Sequence, residues 1–119
     1  MVVKRLQSVC ESSAFCRRAA KLWTRDEREE FVQFIAENPQ VGDLIEGTGG
    51  ARKVRWSRSG TGKRGGVRVI TYFHSENLPV FLFMLFAKNE RSDLGSGDKR
   101  ELATAIAEIK AQTRTRKYS

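Results

Sequence analysis

The chain has 119 residues and a mass of 13.5 kDa, enough for one domain around one modest core. Its 22 Lys plus Arg against 14 Asp plus Glu give a formal charge of +8, which points to RNA, DNA, an acidic protein or an anionic membrane as partner without choosing among them. The longest strongly apolar run, residues 80–87, falls far short of the roughly 20 residues that span a bilayer, and the first ten residues lack the apolar run and cleavage pattern of a secretory signal, so a cytoplasmic protein with no membrane partner is expected.

In chain order, residues 6–10 read as a first strand. Ala14, Phe15, Ala19, Leu22 and Trp23 then recur at the spacing of one helical face and predict a short helix over residues 13–23. Thr24 opens a T-R-D-E box in which Glu27 can return a hydrogen bond to the cap, so a second helix is predicted to run to about residue 38, where Asn38, Pro39 and Gln40 stop it. Cys10 and Cys16 stand without a second pair, and the one histidine, His74, is remote from both. Ordinary thiols, no metal site and no cofactor are therefore expected.

The most informative stretch runs from Gly47 to Ser75. Its 29 residues include no acid and seven cations: Arg52, Lys53, Arg55, Arg58, Lys63, Arg64 and Arg68. A strand over residues 52–57 has a two-residue period that puts Val54 and Trp56 on one face and Lys53 and Arg55 on the other, so the apolar pair can enter a core while the cations meet a ligand. The glycine-rich turn after it carries Lys63 and Arg64. A second strand over residues 66–73 puts Val69, Thr71 and Phe73 on one face and Arg68, Ile70 and Tyr72 on the other. Residues 80–87 alternate little, as a strand buried on both faces should, and Lys88 lies at its end. Asp98 and Glu101 fit a capping box for a last helix over residues 98–110, with Leu102, Ala105, Ile106 and Ile109 facing inward. The domain is expected to occupy residues 1–111, and residues 112–119 to form a basic tail.

RNA brings its own nucleophile, the 2′-hydroxyl. Cleavage needs that oxygen deprotonated, the phosphate held in line and charge on the leaving oxygen neutralised, all of which a basic pocket can supply without a metal. Lys53 and Arg55 share a strand face and Arg68 is on a neighbouring strand, so two strands can bracket one phosphate. Arg68, whose planar guanidinium offers paired donors, suits the phosphate clamp, and Lys53 suits proton transfer. Each is also an ordinary solvent-facing strand charge on the bland reading. Tyr72 can stack on a base or pack in the interior, and His74, beside a turn, is expected to hydrogen-bond or lie at the surface. The GTGG run lacks the Gly-Lys-Ser/Thr ending of a phosphate-binding loop.

The ordered phrases GTGGARKVRW, GKRGGVRVITYF and FLFMLFAKNERSDL, followed by an amphipathic helix, resemble the RelE/ParE superfamily of bacterial toxins, especially its HigB-like branch. The resemblance implies a small α+β domain with a mainly antiparallel curved sheet, helices packed on one face and a C-terminal helix. It implies a cognate antitoxin as partner and, for the messenger-cleaving members, cleavage of mRNA on the ribosome by 2′-hydroxyl attack. Lys53, Arg55, Arg68 and Lys88 would then be catalytic, with Arg52, Arg58, Lys63, Arg64, Tyr72 and Arg91 binding RNA. The best-known cleaving pattern has an arginine where this chain has Asn89 and a tyrosine near Leu94 or Gly95, so the resemblance implies a site rebuilt from other residues or a less active one. The ParE-like relatives instead imply inhibition of DNA gyrase.

Overall fold

A computed structural model describes residues 6–57, 66–88, 90 and 93–116. The order is β1 (Val9–Glu11), α1 (Ser13–Leu22), α2 (Arg25–Glu37), β2 (Asp43–Leu44), β3 (Arg52–Trp56), β4 (Val67–Tyr72), β5 (Val80–Ala87) and α3 (Ser96–Arg116). Side chains set the helix starts. Ser12 Oγ accepts from the Phe15 N–H at 3.0 Å and itself donates to Phe83 O at 2.9 Å, so one hydroxyl caps α1 and ties it to β5. At α2 the anticipated box is complete: Thr24 Oγ1 accepts from Glu27 N–H at 3.1 Å, and Glu27 Oε1 accepts from Thr24 N–H at 2.7 Å. Such a cap stabilises a helix by about 1 kcal/mol.

The last helix differs from the sequence reading. It begins at Ser96 and continues to Arg116. Asp98 does not open it but lies in its first turn, where Oδ2 accepts from the Gly95 N–H at 3.1 Å while Lys99 N–H donates to Gly95 O. Gly95 therefore takes the capping place that the Asp98 and Glu101 spacing suggested for Asp98.

The five strands form one sheet in the order β1-β5-β4-β3-β2. Three junctions are antiparallel, but β1 runs parallel to β5, with Val9 opposite Val80. The expectation of a curved sheet with helices on one face is corrected on both points: the sheet is open, ending at β1 and β2, and helices lie on both faces. On one face Phe15 and Ala19 of α1 and Phe31 and Ile35 of α2 bury Val54, Val67, Val69, Val80, Leu82 and Leu85. On the other, Leu102 and Ile106 of α3 meet Ala51, Ile70, Tyr72, Phe86 and Leu94. Full burial of a side chain such as Phe31 or Ile35 contributes roughly 1.5–3 kcal/mol, so neither face is a minor one.

A bulge reconciles β5 with both cores. Ile70 pairs with Met84 but Thr71 with Leu82, which leaves Phe83 as an extra residue. Leu82 and Leu85, three apart, consequently reach the same core, which strict alternation forbids. Edge strand β1 is held to α2 by Arg28, whose Nε and Nη2 donate to Glu11 Oε1 at 2.8 and 2.6 Å. The turn before β3 is closed by buried Thr48, whose Oγ1 donates to Ile45 O at 2.7 Å and accepts from Ala51 N–H at 3.0 Å. Gly50 there has φ +131°, and a side chain would meet the Tyr72 ring at 3.1 Å.

Among the described residues, Thr71 Oγ1 is the buried side-chain polar atom that lacks a hydrogen-bond partner. An unsatisfied buried hydroxyl costs roughly 1–3 kcal/mol. Thr71→Val is expected to raise the free energy of unfolding by about 1 kcal/mol in a denaturant titration, and an unchanged or lowered midpoint would show that the hydroxyl is solvated.

Candidate nucleic-acid interface

Trp56 decides which cations meet solvent. Its ring lies edge-on to Phe31 at 5.3 Å and tilted against Phe34 at 4.8 Å, so β3 presents residues 54 and 56 to α2. Alternation then sends Lys53 and Arg55 to the opposite face. Arg55 is directly across from Arg68 in the ladder between β3 and β4. Directly opposed residues sit with Cα atoms roughly 5 Å apart and their side chains on the same face. Arg55 is exposed, whereas Arg68 retains only 9% of its surface and donates from Nη1 to Val67 O at 3.3 Å. Phe86 of β5 lies across from Arg68 on its other side. Two arginines of like charge thus oppose one another across the ladder, one of them largely out of water.

Lys53 lies on the same face, two residues from Arg55. Its Nζ stands 3.5 Å from Asp93 Oδ1. Asp93 also accepts from the Leu94 N–H at 2.8 Å, and that bond first, then the Lys53 charge, holds its carboxyl below the usual aspartate range. Asp93 was not singled out by sequence reasoning, and no spacing signals it, because 40 residues separate it from Lys53. Lys88 is exposed, one residue past β5, and its N–H donates to Gly66 O at 3.3 Å. Gly66, at φ +52°, has no room for a side chain: a Cβ would fall 2.2 Å from Trp56 O. Arg55, Arg68 and Lys88 therefore lie toward one end of the β3, β4 and β5 ladder, with Lys53 two residues further along β3, opposite Ile70.

The other residues proposed from sequence lie elsewhere. Arg52 shares the parity of Val54, and its Nη1 donates to Gly42 O at 2.9 Å. Tyr72, 4% exposed, stacks on Phe81 at 6.5 Å and shares a 3.0 Å hydrogen bond between its hydroxyl and His74 Nδ1; burial pushes its hydroxyl pKa up. Four residues of strand put it about 13 Å from Arg68, and His74 about 20 Å. Leu94 is buried in the α3 core and Gly95 caps α3, so neither fills the place of the tyrosine in the cleaving pattern. Arg58, Lys63, Arg64, Asn89 and Arg91 lie outside the described residues. Among the described residues no group of three or more His, Cys, Asp or Glu side chains is placed to hold a metal ion, and no helix is long and apolar enough to cross a membrane.

The chain is thus a small α+β domain with an open, mostly antiparallel sheet that carries cations on its β3–β4 ladder. A family model described as the RelE toxin of the RelE/RelB toxin–antitoxin system matches residues 11–117, and the chain belongs to that family. The free-state structure of an E. coli RelE toxin carrying two arginine-to-alanine substitutions is similar in fold, with a TM-score of 0.56 at 13% identity over 85% of this chain and 97% of that one.

The depressed Asp93 pKa carries a sign. A carboxyl whose folded pKa lies below its unfolded value contributes stability that is present above the unfolded pKa and lost as pH falls through the folded one. The Lys53–Asp93 contact is therefore expected to persist through the ordinary aspartate range and to fail only below it. Carboxyl-detected NMR titration should place the Asp93 midpoint below that of a free aspartate, and Lys53→Met should raise it only partly, because the Leu94 N–H remains. Full recovery of the free value in Lys53→Met would contradict the assigned order of causes.

Proposed function

We propose that this protein is a toxin of the HigB-like branch that cuts mRNA on the ribosome by 2′-hydroxyl attack and is held in check by a cognate antitoxin. The observation that carries the reading is the Arg55–Arg68 pair, two like charges directly opposed on one sheet face with Lys53 beside them. Like charges in that position destabilise a sheet by roughly 0.2–1 kcal/mol, and a phosphate between them turns the repulsion into two charge-assisted hydrogen-bonded contacts. The phrase order around GKRGGVRVITYF supports the branch.

In the proposed reaction the 2′-oxygen attacks the adjacent phosphorus as its proton leaves to solvent water, and the bond from phosphorus to the 5′-oxygen breaks as that oxygen takes a proton from the Lys53 ammonium, which is reprotonated from solvent. The products are a 2′,3′-cyclic phosphate and a 5′-hydroxyl. Arg68 is the clamp: its guanidinium is already held by the Val67 carbonyl and largely desolvated, so its donors are preorganised for charge that develops on the pentavalent phosphate. Arg55 neutralises the opposite side of that phosphate. Lys53 exchanges Asp93 for the substrate and moves a proton at the leaving oxygen, and Lys88 holds the flanking backbone. Arg58, Lys63, Arg64 and Arg91 add RNA-binding charge in this reading, with Arg52 and Tyr72 supporting the site from within the sheet.

The test is end-mapping of a defined mRNA on programmed ribosomes with purified protein. Parent-dependent cuts confined to ribosome-bound message are expected. Arg68→Ala should lower the cleavage rate by about 100-fold or more, whereas His74→Ala, about 20 Å along the strand, should stay within about threefold. Intact message with folded parent protein, together with blocked supercoiling by gyrase, would replace this reading with the ParE-like one.

A further inference from the structure

We infer that Arg18 of α1 and Glu90 are positioning residues that set Lys88 beside the phosphate site; the inference rests on the proposed reading of that site. β5 pairs with β1 only through Leu82, so its last residues present an open edge. That edge is covered by side chains of α1. Ser12 Oγ donates to Phe83 O at 2.9 Å, and Arg18 Nε donates to Leu85 O at 3.3 Å. The same guanidinium, through Nη2, pairs with Glu90 Oε1. That carboxylate oxygen also accepts from the Ala87 N–H at 2.9 Å, and the Glu90 N–H donates back to Ala87 O at 3.0 Å. Residues 87 and 90 are thus bonded reciprocally, with Lys88 inside the turn they close.

The Arg18–Glu90 ion pair is partly exposed, with 33% and 44% of the side-chain surfaces open, and pairs of that kind add little to global stability. Its consequence is local. Phe86 is the ladder partner of Arg68, Ala87 that of Val67, and Lys88 follows with its own N–H on Gly66 O. A turn that relaxes at Ala87 and Glu90 moves the Lys88 ammonium relative to Arg68 and leaves the core beneath α1 in place. The two residues that hold it lie 72 positions apart in sequence, and neither is itself a proposed phosphate ligand.

A double-mutant cycle tests this with a ligand that cannot be cut: a short single-stranded RNA with 2′-deoxyribose at the scissile position, its Kd read by fluorescence anisotropy. Arg18→Gln and Lys88→Ala are each expected to weaken binding about tenfold, and the double variant also by about tenfold, because Arg18 acts only through Lys88. Arg18→Lys, which keeps the ion pair but loses the Leu85 contact, should fall between parent and Arg18→Gln. Far-UV circular dichroism and melting temperature of Arg18→Gln close to parent keep the reading local. Losses that multiply to about 100-fold, or unchanged affinity in Arg18→Gln, would overturn the assignment. A parent protein that binds this RNA but leaves ribosome-bound message intact removes the cleavage proposal while the cycle still decides the role of Arg18. Should the parent fail to bind RNA at all, the phosphate site falls and this role with it.

Discussion

The seating of Val54 and Trp56 beneath α2 is the constraint on which the rest of the molecule depends. A strand has only two faces, and the β3 core residues take one. Phe31 and Phe34 grip Trp56, so Lys53 and Arg55 have no choice of side. The ladder then does the remaining work, because pairing Val54 with Val69 necessarily sets Arg55 opposite Arg68. A slip of one residue would carry the cations into an apolar core and the tryptophan into solvent, so the hydrophobic effect polices the geometry of the charged site.

That site sets like charges side by side on one sheet face. Arg68 is largely removed from water between Phe86 and Arg55, while Lys53 is met by a carboxylate from the loop before α3. The arrangement is stable because the two flanking cores are large and the repulsion is small by comparison. In the proposed reading, added negative charge lowers the energy of this arrangement. Asp93 partly supplies that charge in the free protein, through a contact long and exposed enough to be exchanged for a phosphate.

What the sequence made legible and what it hid follow from the range of the forces involved. The Thr24–Glu27 box, the alternation of β3 and the apolar run of β5 are written within a few residues, and the structure carries all three. The α3 start was misplaced because Asp98 satisfies a capping pattern from either side: it serves as the third helical residue reaching back to Gly95 rather than as the cap itself. The parallel β1, the two-residue β2, the extra residue at Phe83 and the placement of α3 opposite α1 and α2 answer to long-range pairing, which no local pattern records. At the site, the shared face of Lys53 and Arg55 was readable from parity alone, whereas the placement of Arg68 on that face came from the ladder register. Asp93 was not readable, since its role arises only when the loop before α3 folds over β3.

The central claim is that Arg55 and Arg68 repel each other until a phosphate joins them. A double-mutant cycle on unfolding free energy, with Arg55→Ala, Arg68→Ala and the double variant, reads that coupling directly when run without ligand and again with a saturating uncleavable RNA. The account predicts a repulsive coupling of about 0.5 kcal/mol in the free protein that reverses sign with RNA bound. A coupling that keeps one sign and size in both conditions would contradict it.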